Sequence, residues 1–163
     1  MRFRIRDSQK QDFDQLWNLD QECFPPGISY TRVELAFYMR RARAFTLVAE
    51  SEPSQGADEG GRAILGFIVG ETTARGAGHI ITIDVRAEAR RHRVGSALLE
   101  RAEERTRQSG SRHIFLETAV NNAAAISFYK RHGYELIKTI PRYYKDNLDA
   151  LLLGKRLEAG AGS

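Results

Sequence analysis

The sequence predicts a mixed α/β fold, a central sheet with helices on both faces. Three observations predict it. Apolar residues switch between strand and helix spacing in the order β-α-α-β-β-β-α-β-α-β-β. One strand runs through a short basic turn directly into an amphipathic helix. At 163 residues and 42% hydrophobic, the chain has enough apolar mass for one buried core. The expected unit is a single domain over residues 1–157 with a flexible tail at 158–163.

Phe3 to Arg6 alternates apolar and basic residues, as a half-buried strand does. Ser8-Gln9-Lys10-Gln11 has capping-box spacing, and Phe13, Leu16, Trp17, Asp20 and Phe24 follow at helical intervals. The segment FPPGISY (Phe24 to Tyr30) is a loop, because Pro-Pro-Gly cannot continue a helix. Thr31 and Glu34 form a second capping box before a short helix to about Arg41, with Val33 and Phe37 one turn apart. Strands are predicted at Phe45–Glu50 and Ile64–Thr72. The polar, Gly-rich, acidic stretch between them, Ser51–Arg62, reads as a mobile hairpin connection. A strand at Ile80–Val85 precedes a helix at Val94–Gln108, whose Val94, Ala97, Leu98 and Ala102 face the sheet while Arg101, Glu104 and Arg105 face water. Strand His113–Thr118, helix Asn122–His132 and strands near Tyr134–Ile140 and Asp149–Leu153 complete the order, and the tail from Leu157 is expected to fray.

The net charge of +4 raises the question of nucleic acid. Much of the positive charge sits in one turn and the rest lies beside acids on helices, with no helix-turn-helix, zinc-finger or aromatic RNA-binding signature. Nucleic acid is therefore not the expected partner. No apolar run is long enough to span a bilayer, and the N-terminus MRFRIRDSQ lacks a signal peptide's apolar stretch. The single cysteine, Cys23, allows no intramolecular disulfide and fits a reducing cytoplasm. It reads as a small apolar helix residue rather than a nucleophile. The expectation is a cytoplasmic protein with no membrane partner and no metal.

The chemistry concentrates in Ile81–Leu99, ITIDVRAEARRHRVGSALL. A strand, a basic glycine-containing turn and a helix start present unpaired backbone N–H groups to a phosphate. Arg86, Arg90, Arg91, Arg93 and His92 surround the turn, which predicts a multiply phosphorylated ligand. Asn122 stands at a capping position, and Tyr129 follows two turns along the same helix face, where its hydroxyl needs a partner if buried. In the strand HIFLET, Phe115 and Glu117 share the face opposite Ile114, Leu116 and Thr118. A carboxylate within an apolar strand needs a partner or a purpose, unless it faces the surface. Asp84 and His79 on the neighbouring strand are rival candidates for a general base.

Three segments, RRHRVGSALL (Arg90 to Leu99), LETAVNNAAAISFYKRHGYE (Leu116 to Glu135) and IPRYYKDNLDALLL (Ile140 to Leu153), resemble the GNAT N-acetyltransferase superfamily. The resemblance spans roughly Arg2 to Arg156 and is closest to the ribosomal-protein-alanine and N-terminal (N-α) acetyltransferases. It implies the GNAT fold, a mostly antiparallel sheet of about seven strands flanked by about four helices. It also implies acetyl-CoA as the cofactor. Backbone groups of Ile83, Asp84 and Val85 would pair with the pantetheine arm, and the turn from Arg90 through Arg91, His92, Arg93, Val94, Gly95 and Ser96 would hold the pyrophosphate. Asn122 would contact the cofactor while capping its helix. Glu117 is implied as the base and Tyr129 as the hydroxyl beside the sulfur. Phe24, Pro25, Ile28 and Tyr30 would form one peptide wall, with Tyr143 and Tyr144, beside Arg142, forming the other.

Arg90 and Gly95 fit the family's turn pattern, but Arg93 stands where a glycine is usual. Glycine takes any φ there, whereas arginine is expected to keep an allowed conformation and turn its side chain away from the ligand or toward a phosphate. The implied reaction moves an acetyl group to the N-terminal α-amino group of a protein or peptide, a ribosomal protein among the candidates. The enzyme would act as a monomer or weak homodimer. Lysine or small-amine acetylation, and coenzyme A binding without turnover, are the alternatives.

Overall fold

The computed structural model describes residues 1–53 and 62–158. In chain order these form β1 (Phe3–Asp7), α1 (Phe13–Cys23), α2 (Arg32–Met39), β2 (Ala44–Ser51), β3 (Ile64–Thr72) and β4 (Gly78–Val85), followed by α3 (Val94–Gln108), β5 (His113–Ala119), α4 (Ala123–Arg131), β6 (Glu135–Ile140) and β7 (Ala150–Arg156). The strands make one sheet of order β1-β2-β3-β4-β5-β7-β6, with β4–β5 the one parallel pair. The expected element order and the mostly antiparallel sheet are both present. Most of the expected hairpin connection and most of the expected tail lie outside the described residues.

Each face of the sheet carries a core. Leu16, Leu19 and Leu35 of α1 and α2 pack on Val48, Phe67 and Val69 on one side. Leu98, Leu99 and Ala102 of α3, with Tyr129 of α4, pack on Ile68, Ile80, Ile114, Leu116 and Leu153 on the other. Strand β3 is covered on both sides, so Ile64 to Glu71 is buried without polar alternation. Each large aliphatic side chain buried here contributes about 1.5–3 kcal/mol.

One irregularity positions the site. Val69 pairs with Thr82 and Gly70 with Ile80, which leaves Ile81 as an extra residue on β4. Such a bulge bends its strand and increases local twist. β4 pairs with β5 only through Gly78–Ile80 against Ile114–Leu116. Beyond these pairs the two strands have no ladder between them, and a cleft opens there.

One local expectation changes. A short 3-10 turn, Lys10–Asp12, precedes α1, and capping falls to Asp12, whose Oδ2 accepts the Gln9 N–H at 2.7 Å. Asp12 also accepts two hydrogen bonds from the Arg6 guanidinium, an ion pair that Ser8 has no charge to make. On α2 the Thr31–Glu34 box forms as predicted, with reciprocal bonds of 3.1 and 3.0 Å. Val33 and Phe37, one turn apart, face solvent at 80% and 60% exposure, and Leu35 makes the buried contact.

Candidate active site

The cleft between β4 and β5 has a volume of about 1000 Å³ and is lined from both strands, the α1–α2 loop, the turn before α3, α4 and the β6–β7 loop. Backbone alternation decides which β4 groups it offers. The Arg86 N–H goes to the Leu65 carbonyl at 2.8 Å. Phe67–Asp84, two residues along the register, is therefore also a mutually bonded pair, and Ile83 and Val85 turn their N–H groups away from β3 into the cleft. Ile83 and Val85 thus present free N–H groups to the cleft. Asp84 does not: β3 takes its backbone groups, and its carboxyl is buried on the α1 face.

Among the turn residues, Arg90, Arg91, Arg93, Val94, Gly95 and Ser96 line the cleft. The first α3 bond runs from the Ala97 N–H to the Arg93 carbonyl, so the amides of Val94, Gly95 and Ser96 have no backbone acceptor among the described residues. Three free amides at the start of a 15-residue helix, with arginines around them, form an anion cradle. Arg93 occupies the small left-handed allowed region. Its φ of 64° and ψ of 15° are left-handed, as is Arg91 at φ 69°, so the glycine geometry persists without the glycine. His92 is exposed, lies outside the lining and gives its amide to Ala89. Arg86 is drawn away by its bond to the Ile64 carbonyl. Sequence reasoning missed Arg131, which adds a cation from the last turn of α4. There it read as an ordinary basic helix end.

At the other end, Glu117 Oε2 lies 2.7 Å from His79 Nε2. A carboxylate only accepts, so Nε2 carries the hydrogen. The His79 ring stacks on Phe115 at 4.4 Å, and its Nδ1 stands 3.7 Å from Glu71, itself paired with Arg41 at 3.0 Å. Glu117 lines the cleft while His79 does not, so the histidine supports the carboxylate from behind. Tyr129 is buried in the core, yet it also lines the cleft. Its hydroxyl has no hydrogen-bond partner among the described residues, and burial holds its proton more tightly than usual. Asn122 both lines the cleft and caps α4, its Oδ1 accepting the Ala125 N–H at 3.1 Å. Burial pushes the Cys23 thiol up to about 11, which keeps it protonated and un-nucleophilic.

Phe24, Pro25, Ile28 and Tyr30 line the cleft from the α1–α2 loop and Tyr144 from the β6–β7 loop. A Cβ on Gly27 would meet Lys145 Cβ at 3.3 Å, so the two loops touch. Tyr143 lies outside the lining at 47% exposure, edge-on to Tyr144 at 4.9 Å. Burial raises the pKa of both tyrosines, and the Glu117 charge raises them further, so they remain neutral hydroxyl donors.

A strand edge opened by a bulge, an anion cradle at a helix start, and a carboxylate and a buried tyrosine in the same cleft define a coenzyme A-dependent acyltransferase. The chain belongs to the acetyltransferase (GNAT) family, whose profile matches residues 13–134. It is an N-acetyltransferase, with acetyl-CoA as its donor. An uncharacterized N-acetyltransferase of Methanocaldococcus jannaschii is 33% identical over 93% of this chain and 90% of its own. An N-alpha-acetyltransferase of Sulfurisphaera tokodaii is 27% identical over 95% and 93%. Among solved structures, Ard1 from Thermoplasma volcanium superposes with a TM-score of 0.83 at 24% identity, covering 97% of this chain and 99% of that one.

Proposed function

We propose that this acetyltransferase modifies the α-amino group of protein or peptide N-termini. The observation that carries the reading is the acceptor end of the cleft. Two touching loops with aromatic and apolar side chains lead to Glu117, a shape suited to an extended chain end. The name of the Sulfurisphaera relative supports the same reading.

The donor, when bound, supplies an acetyl thioester. Arg90, Arg91, Arg93 and Arg131 with the amides of Val94, Gly95 and Ser96 would hold its phosphates, and Val85 would offer its N–H group to the arm. Glu117, fixed by His79, accepts the proton that the amine nitrogen gives up as the new C–N bond forms. The Ile83 N–H, nearer Glu117 than that of Val85, would donate to the carbonyl oxygen as charge develops there. Tyr129 would donate a hydrogen bond to the sulfur of the departing thiolate. An α-amine, with a pKa of about 7.7–8.0, is roughly one-tenth neutral at pH 7, whereas lysine near 10.4 is almost wholly charged. One carboxylate base therefore suits the α-amine.

The test is thiol release from acetyl-CoA with short peptides, ribosomal-protein N-termini included. One set carries free N-termini, and a matched set carries blocked N-termini and an internal lysine. Turnover on the free set alone is the expected result. Turnover on the blocked set, or on polyamines only, rejects the assignment.

A further inference from the structure

Two carboxyl groups with no part in the chemistry above meet inside the protein. Asp20 on α1 and Asp84 on β4 are 0% and 1% exposed. Asp20 Oδ2 accepts the Tyr30 N–H at 2.7 Å, and Asp84 Oδ1 accepts the Thr82 hydroxyl at 2.6 Å. Their other oxygens, Asp20 Oδ1 and Asp84 Oδ2, lack any donor among the described residues. The end of α1 lies directly against β4 here, with Cys23 Sγ donating to the Val85 carbonyl at 3.5 Å, and this packing brings the two carboxyl groups together. Two buried carboxylates in contact cannot both ionise, and each orphaned oxygen is costly to leave unpaired. A single proton resolves both problems, because it turns one of the facing acceptors into a donor to the other.

We propose that Asp20 and Asp84 share one proton, and that this acid–carboxylate pair is a positioning device that fastens the acceptor wall to the donor-binding strand. The positioning half of the proposal rests on the acceptor site assigned above. Burial pushes both groups upward, Asp84 well above the carboxylate range, so Asp84 holds the proton. Asp20, bonded to a backbone N–H, is the better anion. The other titratable groups near the pair are Glu34 of α2, Cys23 of α1, Tyr30 of the α1–α2 loop and Tyr129 of α4.

The link to the acceptor wall runs through Tyr30. Asp20 holds its N–H, Trp17 and Gln21 donate to its carbonyl at 3.1 and 2.8 Å, and its hydroxyl donates to the Ile81 carbonyl at 3.3 Å. On the strand side, Asp84 stands between Ile83 and Val85, whose N–H groups face the cleft. The shared proton therefore ties the end of the acceptor loop to the strand segment on which the acyl group is held.

Infrared spectroscopy at neutral pH reads the proton directly. Wild-type protein should show the carbonyl stretch of a buried, protonated carboxylic acid, and Asp84→Asn should lack it. No such band in wild type, or a band that survives Asp84→Asn, overturns the proposal. This readout needs no acceptor, so it stands even if the peptide assignment fails. The positioning role is read from kinetics. Asp84→Asn keeps a donor facing Asp20 and should hold acceptor KM within about threefold. Asp84→Ala removes the donor and should raise acceptor KM by about tenfold, with a smaller change in kcat. Equal effects of Asn and Ala, or a loss confined to kcat, would contradict the positioning role.

Discussion

Replacing Glu117 with glutamine tests the chemistry with little structural disturbance. Glutamine matches glutamate in shape, and its Oε1 can accept the His79 Nε2–H that Glu117 now accepts at 2.7 Å. What disappears is the basicity. A positioned general base contributes about 10²–10⁴-fold. The lower end applies here, because roughly one-tenth of an α-amine is already neutral at pH 7 and Glu117 need only take the proton released during bond formation. The expected loss in kcat is about 100-fold, or about 2.7 kcal/mol of barrier. The KM for acetyl-CoA should stay within about twofold, since the phosphate cradle lies at the other end of the cleft. Thiol release at saturating acetyl-CoA, measured from pH 6 to 9, provides the assay, with an unchanged Tm excluding misfolding. A kcat within about twofold of wild type across that range would remove Glu117 from the mechanism.

Tyr129→Phe should lower kcat by about tenfold, the loss of one hydrogen bond to a charged sulfur. Because the hydroxyl has no protein partner among the described residues, Tm should barely move; a large fall in Tm would mark Tyr129 as a core residue only. Arg93→Gly should raise stability by about 0.5–1 kcal/mol and Tm by about 2 °C, since the left-handed conformation strains arginine and not glycine. A lower Tm would contradict that account. Hydrogen bonds from Arg6 hold Asp12 and Glu50 below the usual carboxylate range. Depressed folded-state values stabilise the protein above about pH 4 and lose that contribution as pH falls through them. In urea titrations the stability difference between wild type and Asp12→Asn should shrink from pH 6 toward pH 2. A difference that widens in acid would reverse the assignment.

What the sequence disclosed was local. Thr31 and Glu34 cap α2 because both bonds lie within one turn, and the strand-turn-helix from Ile81 to Leu99 is legible because its parts are adjacent. The bulge at Ile81 was not legible, since it exists only in the register against β3. The His79–Glu117 bond, across 38 residues, and the Asp20–Asp84 contact are likewise products of tertiary packing. Buried Glu103 was also missed on the solvated-looking α3, where it accepts hydrogen bonds from Tyr134 at 2.8 Å and Lys155 at 3.0 Å. Arg93 shows the opposite limit. Residue preference argued against a left-handed turn, and the demands of the helix start prevailed.

The most direct test of the central claim is acetyl transfer to the paired peptide sets, followed by mass spectrometry to locate the added group. The account predicts acetylation at the α-nitrogen of free N-termini and none on the internal lysine of blocked peptides. Acetyl groups found on lysine alone, or transfer only to a non-peptide amine, would contradict it.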